Sequence, residues 1–152
     1  MRAKKTLFME TTQVPAERTA SEISSCLIQA GATQIATDYE AGKIKGLRWM
    51  MDVRGRKLCF AMPARVEPVF EELRKRRRHS FNRAELLGQA ERVAWRQLLR
   101  WVQAQLAMIQ CGMTEPGEVF FPFMMHVEAN KTVYTLFAEQ EFKMLAGPEK
   151  PQ

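Results

Sequence analysis

The apolar and polar positions of this chain switch between the period of a strand and the period of a helix. Residues 46–54 alternate clearly between two faces, as a half-buried strand does. The apolar side of this segment comprises Leu47, Trp49, Met51 and Val53. Further strand candidates lie on either side, at 33–39 and at 58–62, with turn residues between them. The pattern predicts an antiparallel meander over residues 33–62 with one face packed on helices.

A helical period predicts the elements that surround this meander. The longest helix is expected at about 83–111, with Asn82 as N-cap, Glu85 completing a capping box and Gly112 following its end. Its apolar stripe is expected to be buried and comprises Trp95, Leu98, Leu99, Val102, Leu106 and Ile109. On the opposite side, Arg92, Arg96 and Gln103 are expected to be substantially exposed. The other predicted helices are 15–30, 65–77 and 133–145.

These elements together predict an α+β fold in one domain. A short strand predicted at 7–14 leaves the antiparallel sheet with three or four strands. The length of 152 residues is that of a single domain. We assign residues 1–146 to this domain, and we expect 147–152, which contain a glycine and two prolines, to be a disordered tail.

The cysteines and the hydropathy pattern argue against several classes of protein. The three cysteines are far apart and none belongs to a C-x-x-C pair, so neither a disulfide framework nor a zinc knuckle is expected. No apolar segment follows the basic N-terminus, and charged residues interrupt the longest apolar pattern. We therefore expect no membrane partner and a cytoplasmic location in a host cell.

The positive charge of the chain is the most informative feature for function, because it is concentrated in one window. The chain has a net charge of +6, and residues 65–100 contain ten Lys or Arg and five acidic residues, which leaves that window at +5. Its centre is an unbroken run of five basic side chains: Arg74, Lys75, Arg76, Arg77 and Arg78. Cations complement the end of a helix, but five in a row exceed what capping requires. The run therefore predicts contact with phosphates of a nucleic acid. A solvated helix end and an acidic protein partner are the alternatives.

Two further features extend this candidate surface. Arg92, Arg96 and Arg100 recur every four residues on the long helix, a spacing that could track a phosphate backbone or form a solvated face. Phe81 lies just beyond the basic run and is the best candidate for stacking on a base.

Catalytic chemistry is poorly supported by the sequence. The two histidines, His79 and His126, lie outside any metal-ligand motif, and no P-loop, nucleophile elbow or H-E-x-x-H motif occurs. Asp38, Glu40 and Asp52 lie in the meander and could converge on a metal, with Glu10 as an outlying carboxylate. However, Asp52-Val53-Arg54 lacks the acid–x–Lys pattern of many nucleases. We predict no catalytic residue, no bound metal and no cofactor.

Several stretches carry a family resemblance. They are Glu10-Thr11-Thr12 with Pro15-Ala16-Glu17-Arg18-Thr19, Gly31-Ala32-Thr33, Met62-Pro63-Ala64-Arg65-Val66, Ala90-Glu91-Arg92-Val93-Ala94-Trp95-Arg96 and Trp101-Val102-Gln103-Ala104-Gln105-Leu106. The chain resembles, over roughly 6–145, a family of small bacteriophage and prophage proteins without an established activity. The resemblance implies no catalytic residue. By association it favours contact with nucleic acid in phage DNA metabolism.

The sequence therefore predicts a non-enzymatic nucleic-acid-binding accessory protein, with single or double strands left open. The predicted contact residues are Arg74, Lys75, Arg76, Arg77, Arg78, Phe81, Arg92, Arg96 and Arg100. A factor that docks an acidic host or phage protein is the alternative, and a weak metal-dependent nuclease comes third.

Overall fold

Five α-helices and a three-stranded antiparallel sheet build the fold of the computed structural model, which describes residues 5–148 and residue 151. The elements are α1 (Ala16–Gln29), β1 (Gln34–Glu40), β2 (Lys43–Val53), β3 (Arg56–Pro63), α2 (Val66–Arg76), α3 (Arg83–Gln110), α4 (Pro116–Val119), β4 (Met125–His126), β5 (Lys131–Thr132) and α5 (Val133–Glu139). The predicted α+β class is confirmed. Residues 149, 150 and 152 of the predicted tail lie outside the described residues.

The predicted meander is confirmed, with the strands in the order β1-β2-β3. Both of its turns place two consecutive residues at positive φ, Ala41 with Gly42 and Arg54 with Gly55. Such turns match the right-handed twist of the paired strands. In the register, Trp49 lies opposite Phe60, and their rings stack with centroids 5.4 Å apart. The alternating apolar residues of β2 therefore lie on one buried face.

A β-bulge interrupts the pairing of β1 with β2. Asp38 lies opposite Gly46 and Tyr39 opposite Ile44, so that Lys45 is one extra residue. The bulge lets both Ile44 and Leu47 face the core. A Cβ at Gly46 would lie 2.8 Å from the carbonyl oxygen of Met62, so this close approach of two backbones requires glycine.

The main core lies between the sheet and the helices α1 and α3. Its fully buried side chains include Ile23, Leu27, Leu47, Trp49, Phe60, Trp95, Leu99 and Val102. The predicted stripe of the long helix is correct near its middle and too long at its end. Leu98 is only partly buried, and so are Leu106 and Ile109. The last two flank a groove between α1 and α3 that is lined by Cys26.

A second core joins α2 to the first half of α3. Phe70 and Leu73 of α2 pack there against Leu86 and Ala90 of α3. The predicted N-cap is present, since Asn82 Oδ1 accepts a hydrogen bond from Glu85 N at 3.2 Å. The capping box is incomplete among the described residues, because Asn82 N does not donate to the Glu85 carboxylate. The guanidinium of Arg83 adds a cation–π contact, 4.7 Å from the ring centroid of Phe70.

The segment after α3 is attached to the main core mainly through Phe120, with Val119, Phe123 and Met124 packed beside it. Phe120 is fully buried and packs edge-on against Trp49, Phe60 and Trp101. A bidentate ion pair between Arg54 and Glu115 joins the same segment to the β2–β3 turn, and its hydrogen bonds and charge raise the pKa of Arg54.

The last predicted helix is wrong in length. It ends at Glu139 rather than at residue 145, because Glu141 and Phe142 both adopt positive φ. A helix cannot continue through that backbone conformation.

The predicted strand at 7–14 is wrong, and the sheet has three strands. Two turns, Glu10 N to Leu7 O and Thr12 N to Met9 O, fold this segment, and Met9 has a φ of 64°. We call residues 5–14 the N-terminal strap, because they cross α3 and are held by side chains. Gln89 Nε2 donates to Glu10 O and Thr12 O, and Gln97 Nε2 donates to Phe8 O.

The hydropathy of the helices bears on membrane insertion. No helix in the described part of the chain is both long and apolar enough to cross a bilayer.

Candidate nucleic-acid interface

A cleft of about 1030 Å³ opens where α2 passes into α3, and we call it the arginine cleft. The N-terminal strap forms one wall, the loop 77–82 forms the floor and rim, and the first turns of α3 form the other wall. Its charged side chains are Arg76, Arg77, Arg78, Arg92, Glu10 and Glu85, with His79 beside them. Four arginines against two glutamates make the cleft electropositive.

Arg77 and Arg78 are the arginines most available to a ligand. Helix α2 stops at Arg76 because Arg77 turns to extended backbone, with φ of −76° and ψ of 129°. The chain then leaves the helix, and both side chains project from an exposed loop. Neither forms an ion pair with any residue that the structure describes. An incoming anion would therefore meet two guanidinium groups that need not give up a partner.

Arg76 lines the cleft, but its guanidinium group is already hydrogen-bonded to other parts of the protein. Its Nε donates to Glu72 at 2.9 Å and its Nη1 donates to the carbonyl oxygen of Lys5 at 2.7 Å. The side chain is mostly buried. Arg76 therefore fastens the strap to α2 and contributes positive charge to the cleft.

Arg92 is half-buried, so the prediction that it is substantially exposed is wrong. Its guanidinium donates to Gln89 Oε1, and the amide of Gln89 donates in turn to two carbonyls of the strap. This chain of hydrogen bonds holds the two walls of the cleft together. Arg92 lines the cleft with its position fixed.

Arg96 lies outside the cleft, and the prediction that it is substantially exposed is also wrong. Its side chain is only 12% exposed and forms an ion pair with Glu22 of α1 at 3.1 Å. The same guanidinium reaches Thr19 Oγ1 at 3.4 Å. Arg96 therefore joins α1 to α3 and is withdrawn from a surface ligand.

The remaining predicted contact residues also lie away from the lining. Arg74 is paired with Glu71, and Arg100 is exposed but hydrogen-bonded to Gln103. Lys75 is exposed on the last turn of α2. Gln103 is exposed, as predicted. The structure thus brings together Arg76, Arg77, Arg78, Phe81 and Arg92, and it separates Arg74, Lys75, Arg96 and Arg100 from them.

Phe81 gives the cleft an aromatic surface. It is 40% exposed and belongs to the cleft lining, as the sequence suggests. Asn82 follows it and caps α3, with Glu85 in the first turn of that helix. The positive end of the helix dipole therefore adds to the potential of the arginines, and the Glu85 carboxylate subtracts from it.

Sequence reasoning missed the part of the cleft that the strap supplies. Glu10, Thr11 and Gln13 line it, although they lie more than sixty residues before the arginines. A strand prediction gave no reason to place them there. The available signal was the pair Gln89 and Gln97, two amides eight residues apart on α3 that can donate to backbone carbonyls of an adjacent segment.

The carboxylates of the meander do not converge. Asp38 pairs with Arg48 at 2.6 Å, whereas Asp52 accepts a hydrogen bond from Gly55 N beside the opposite hairpin turn. Within residues 5–148, no three His, Cys, Asp or Glu side chains lie close enough together to hold a metal ion.

Comparisons with family models, curated proteins and solved structures found no match to this chain. The resemblance to phage-encoded proteins therefore stays a prediction, and the geometry of the cleft carries the functional argument.

Proposed function

We propose that the protein is a non-enzymatic nucleic-acid-binding factor that holds phosphates in the arginine cleft. The observation that carries this proposal is the pair Arg77 and Arg78, two exposed guanidinium groups without an acidic partner among the described residues, at the rim of a concave electropositive site. Guanidinium groups bind phosphate oxygens bidentately, and they do so best when no internal ion pair competes.

The position of these arginines on a loop also suits binding. A loop between two packed helices can present side chains to a ligand without exposing the core, and α2 and α3 form such a rigid support. Contacts of this kind fix a nucleic acid in place without reading its sequence. The proposed context is phage DNA metabolism, which the family resemblance implies.

The test is a pair of double variants with the same change in charge. R77A/R78A removes the free arginines, and R56A/K57A removes two exposed cations at the β2–β3 turn, outside the cleft lining. Binding of fluorescently labelled DNA and RNA is measured by anisotropy at several salt concentrations. We expect R77A/R78A to weaken binding and to reduce the slope of log affinity against log salt, by about 0.7 per lost contact for a single strand or about 0.9 for duplex DNA.

The control separates site binding from a general effect of charge. The slope of log affinity against log salt for R56A/K57A should differ from that of the parent by less than half of the change expected for one lost phosphate contact. Both variants should remain folded, because exposed substitutions usually alter the free energy of unfolding by less than about 0.5 kcal/mol each. Equal losses in the two double variants, or no binding by the parent at micromolar concentration and low salt, would refute the proposal.

One observation favours a second function, the docking of another protein. Exposed large apolar side chains gather in the segment that follows α4: Phe121, Val127, Tyr134, Phe142, Met144 and Leu145. Such a concentration is typical of an interaction surface. Under this alternative, an acidic protein would bind the parent after nuclease treatment and would bind a Tyr134→Ala variant more weakly. Excess nucleic acid would not displace that protein.

A further inference from the structure

We infer that the arginine cleft accepts a single-stranded nucleic acid, with one base stacked on Phe81 while its flanking phosphates meet Arg77 and Arg78. The inference rests on the proposed function and adds the class of strand that the site takes. Three features of the described residues lead to it: the concave shape of the site, the covering of α3 by the strap, and the aromatic side chain among the arginines.

The shape of the cleft suits a flexible strand. Its volume of about 1030 Å³ lies just above the range of roughly 300–1,000 Å³ that is typical of pockets that enclose small organic ligands. A site of this kind can enclose a nucleotide unit. A duplex is instead a convex surface, which proteins usually read by inserting a helix or a β-ribbon into its major groove.

The longest helix, α3, is partly covered by the N-terminal strap. The strap crosses α3, where Gln89 and Gln97 bind its backbone carbonyls. The arginine stripe of α3 is also incomplete, because Arg96 is committed to Glu22. Helix α3 therefore presents no continuous stripe of exposed arginines to a groove, and Arg77 and Arg78, which have no acidic partner among the described residues, lie in the concave loop beside it.

Phe81 supplies an aromatic ring on which an unpaired base can stack. A single strand exposes the faces of its bases for such stacking, whereas a duplex buries them. Its ring is partly exposed in the same lining as Arg77 and Arg78. Unpaired bases stack on such rings irrespective of sequence, and a basic groove holds the backbone beside them. The amide side chains of Gln13 and Asn82 line the same cleft and can meet the edges of an unpaired base.

The experiment compares four probes of equal length and label: single-stranded DNA, RNA of the same sequence, the DNA duplex, and a DNA backbone that lacks its bases. The proteins are the parent, F81A, F81W and F121A. Phe121 is the matched control, because it is 48% exposed and does not line the cleft. Circular dichroism checks that every variant is folded.

We expect the parent to bind at least one of the two single strands more tightly than the duplex or the backbone without bases. F81A should weaken that binding by roughly fivefold to 150-fold, the range associated with loss of one stacked base. Its salt slope should equal that of the parent, because no phosphate contact is lost. F81W should restore the affinity, its indole fluorescence should be quenched by the strand, and F121A should bind like the parent.

The two proposals fail in different ways. Duplex binding as tight as single-strand binding, together with an unchanged affinity in F81A, would overturn the inference and leave phosphate binding in place. Absence of binding to every probe by the folded parent at low salt would overturn both.

Discussion

The position of Arg96 in the sequence is consistent with two different roles, contact with a phosphate or packing against another helix. Arg92, Arg96 and Arg100 recur every four residues, which is equally consistent with a phosphate-binding stripe and with a helix face that packs. The deciding partner is Glu22, which lies 74 residues away in the sequence. Only the packing of α1 against α3 brings them together. The exposure of a charged side chain is therefore the property that the sequence predicts least well.

The ion pair between Arg96 and Glu22 leads to a prediction about stability. Glu22→Ala leaves a guanidinium that is mostly buried, with its Nε unpaired in the structure and Thr19 as its remaining partner. We expect a loss of roughly 1–3 kcal/mol in the free energy of unfolding, measured by urea titration. Arg96→Met, which fills the site without a charge, should unfold near the parent midpoint.

A double variant that combines Glu22→Ala with Arg96→Met tests whether loss of the ion pair causes the loss of stability. Glu22→Ala should be nearly neutral in the Arg96→Met background, because no buried charge is then left alone. Arg18→Ala is the control, since that side chain is 75% exposed beside Glu22 and should contribute less than about 0.5 kcal/mol. An equal loss from Glu22→Ala in both backgrounds would contradict this account. Arg96→Met should also bind nucleic acid like the parent.

At the scale of elements, the meander could be predicted and the strap could not. Alternation over residues 47–53 of β2 and two glycine-containing turns specify paired strands through local chemistry alone. The strap has a similar composition, but its backbone hydrogen bonds go to its own turns and to the amides of α3. Nothing within residues 7–14 encodes those partners. For the same reason, residues 7–14 do not themselves predict the wall that they give to the cleft, whereas Phe81 and the neighbouring arginines could be predicted as neighbours in the sequence.

Helix α3 supports a prediction that compares its middle with its end. Leu99 is fully buried in the main core, and Leu106 borders the groove against α1. Leu99→Ala should therefore lower the free energy of unfolding by roughly 2–5 kcal/mol. Leu106→Ala should cost less than about 2 kcal/mol, because part of its side chain already contacts water. Urea unfolding of both variants gives the comparison, and a larger loss for Leu106→Ala would show that the groove is closed in solution.

At the scale of the whole molecule, the basic side chains of residues 65–100 have different structural roles. Arg74 and Arg76 pair with glutamates of α2, Arg83 covers Phe70, and Arg96 joins two helices. Arg65 and Lys75 are exposed away from the cleft, whereas Arg77 and Arg78 line it. Composition alone predicts a basic surface. The site within that basic surface depends on which of its side chains already form ion pairs inside the fold.

The most direct measurement for this account is a map of backbone amide shifts in the ¹⁵N-labelled protein during titration with a single-stranded oligonucleotide. We expect the largest shifts in the loop 77–82, in residues 10–13 of the strap and in the first turns of α3, because these segments line the arginine cleft. Shifts confined to the groove between α1 and α3 or to the segment after α4, or no shifts at stoichiometric concentration, would contradict the assignment of the arginine cleft as the nucleic-acid site.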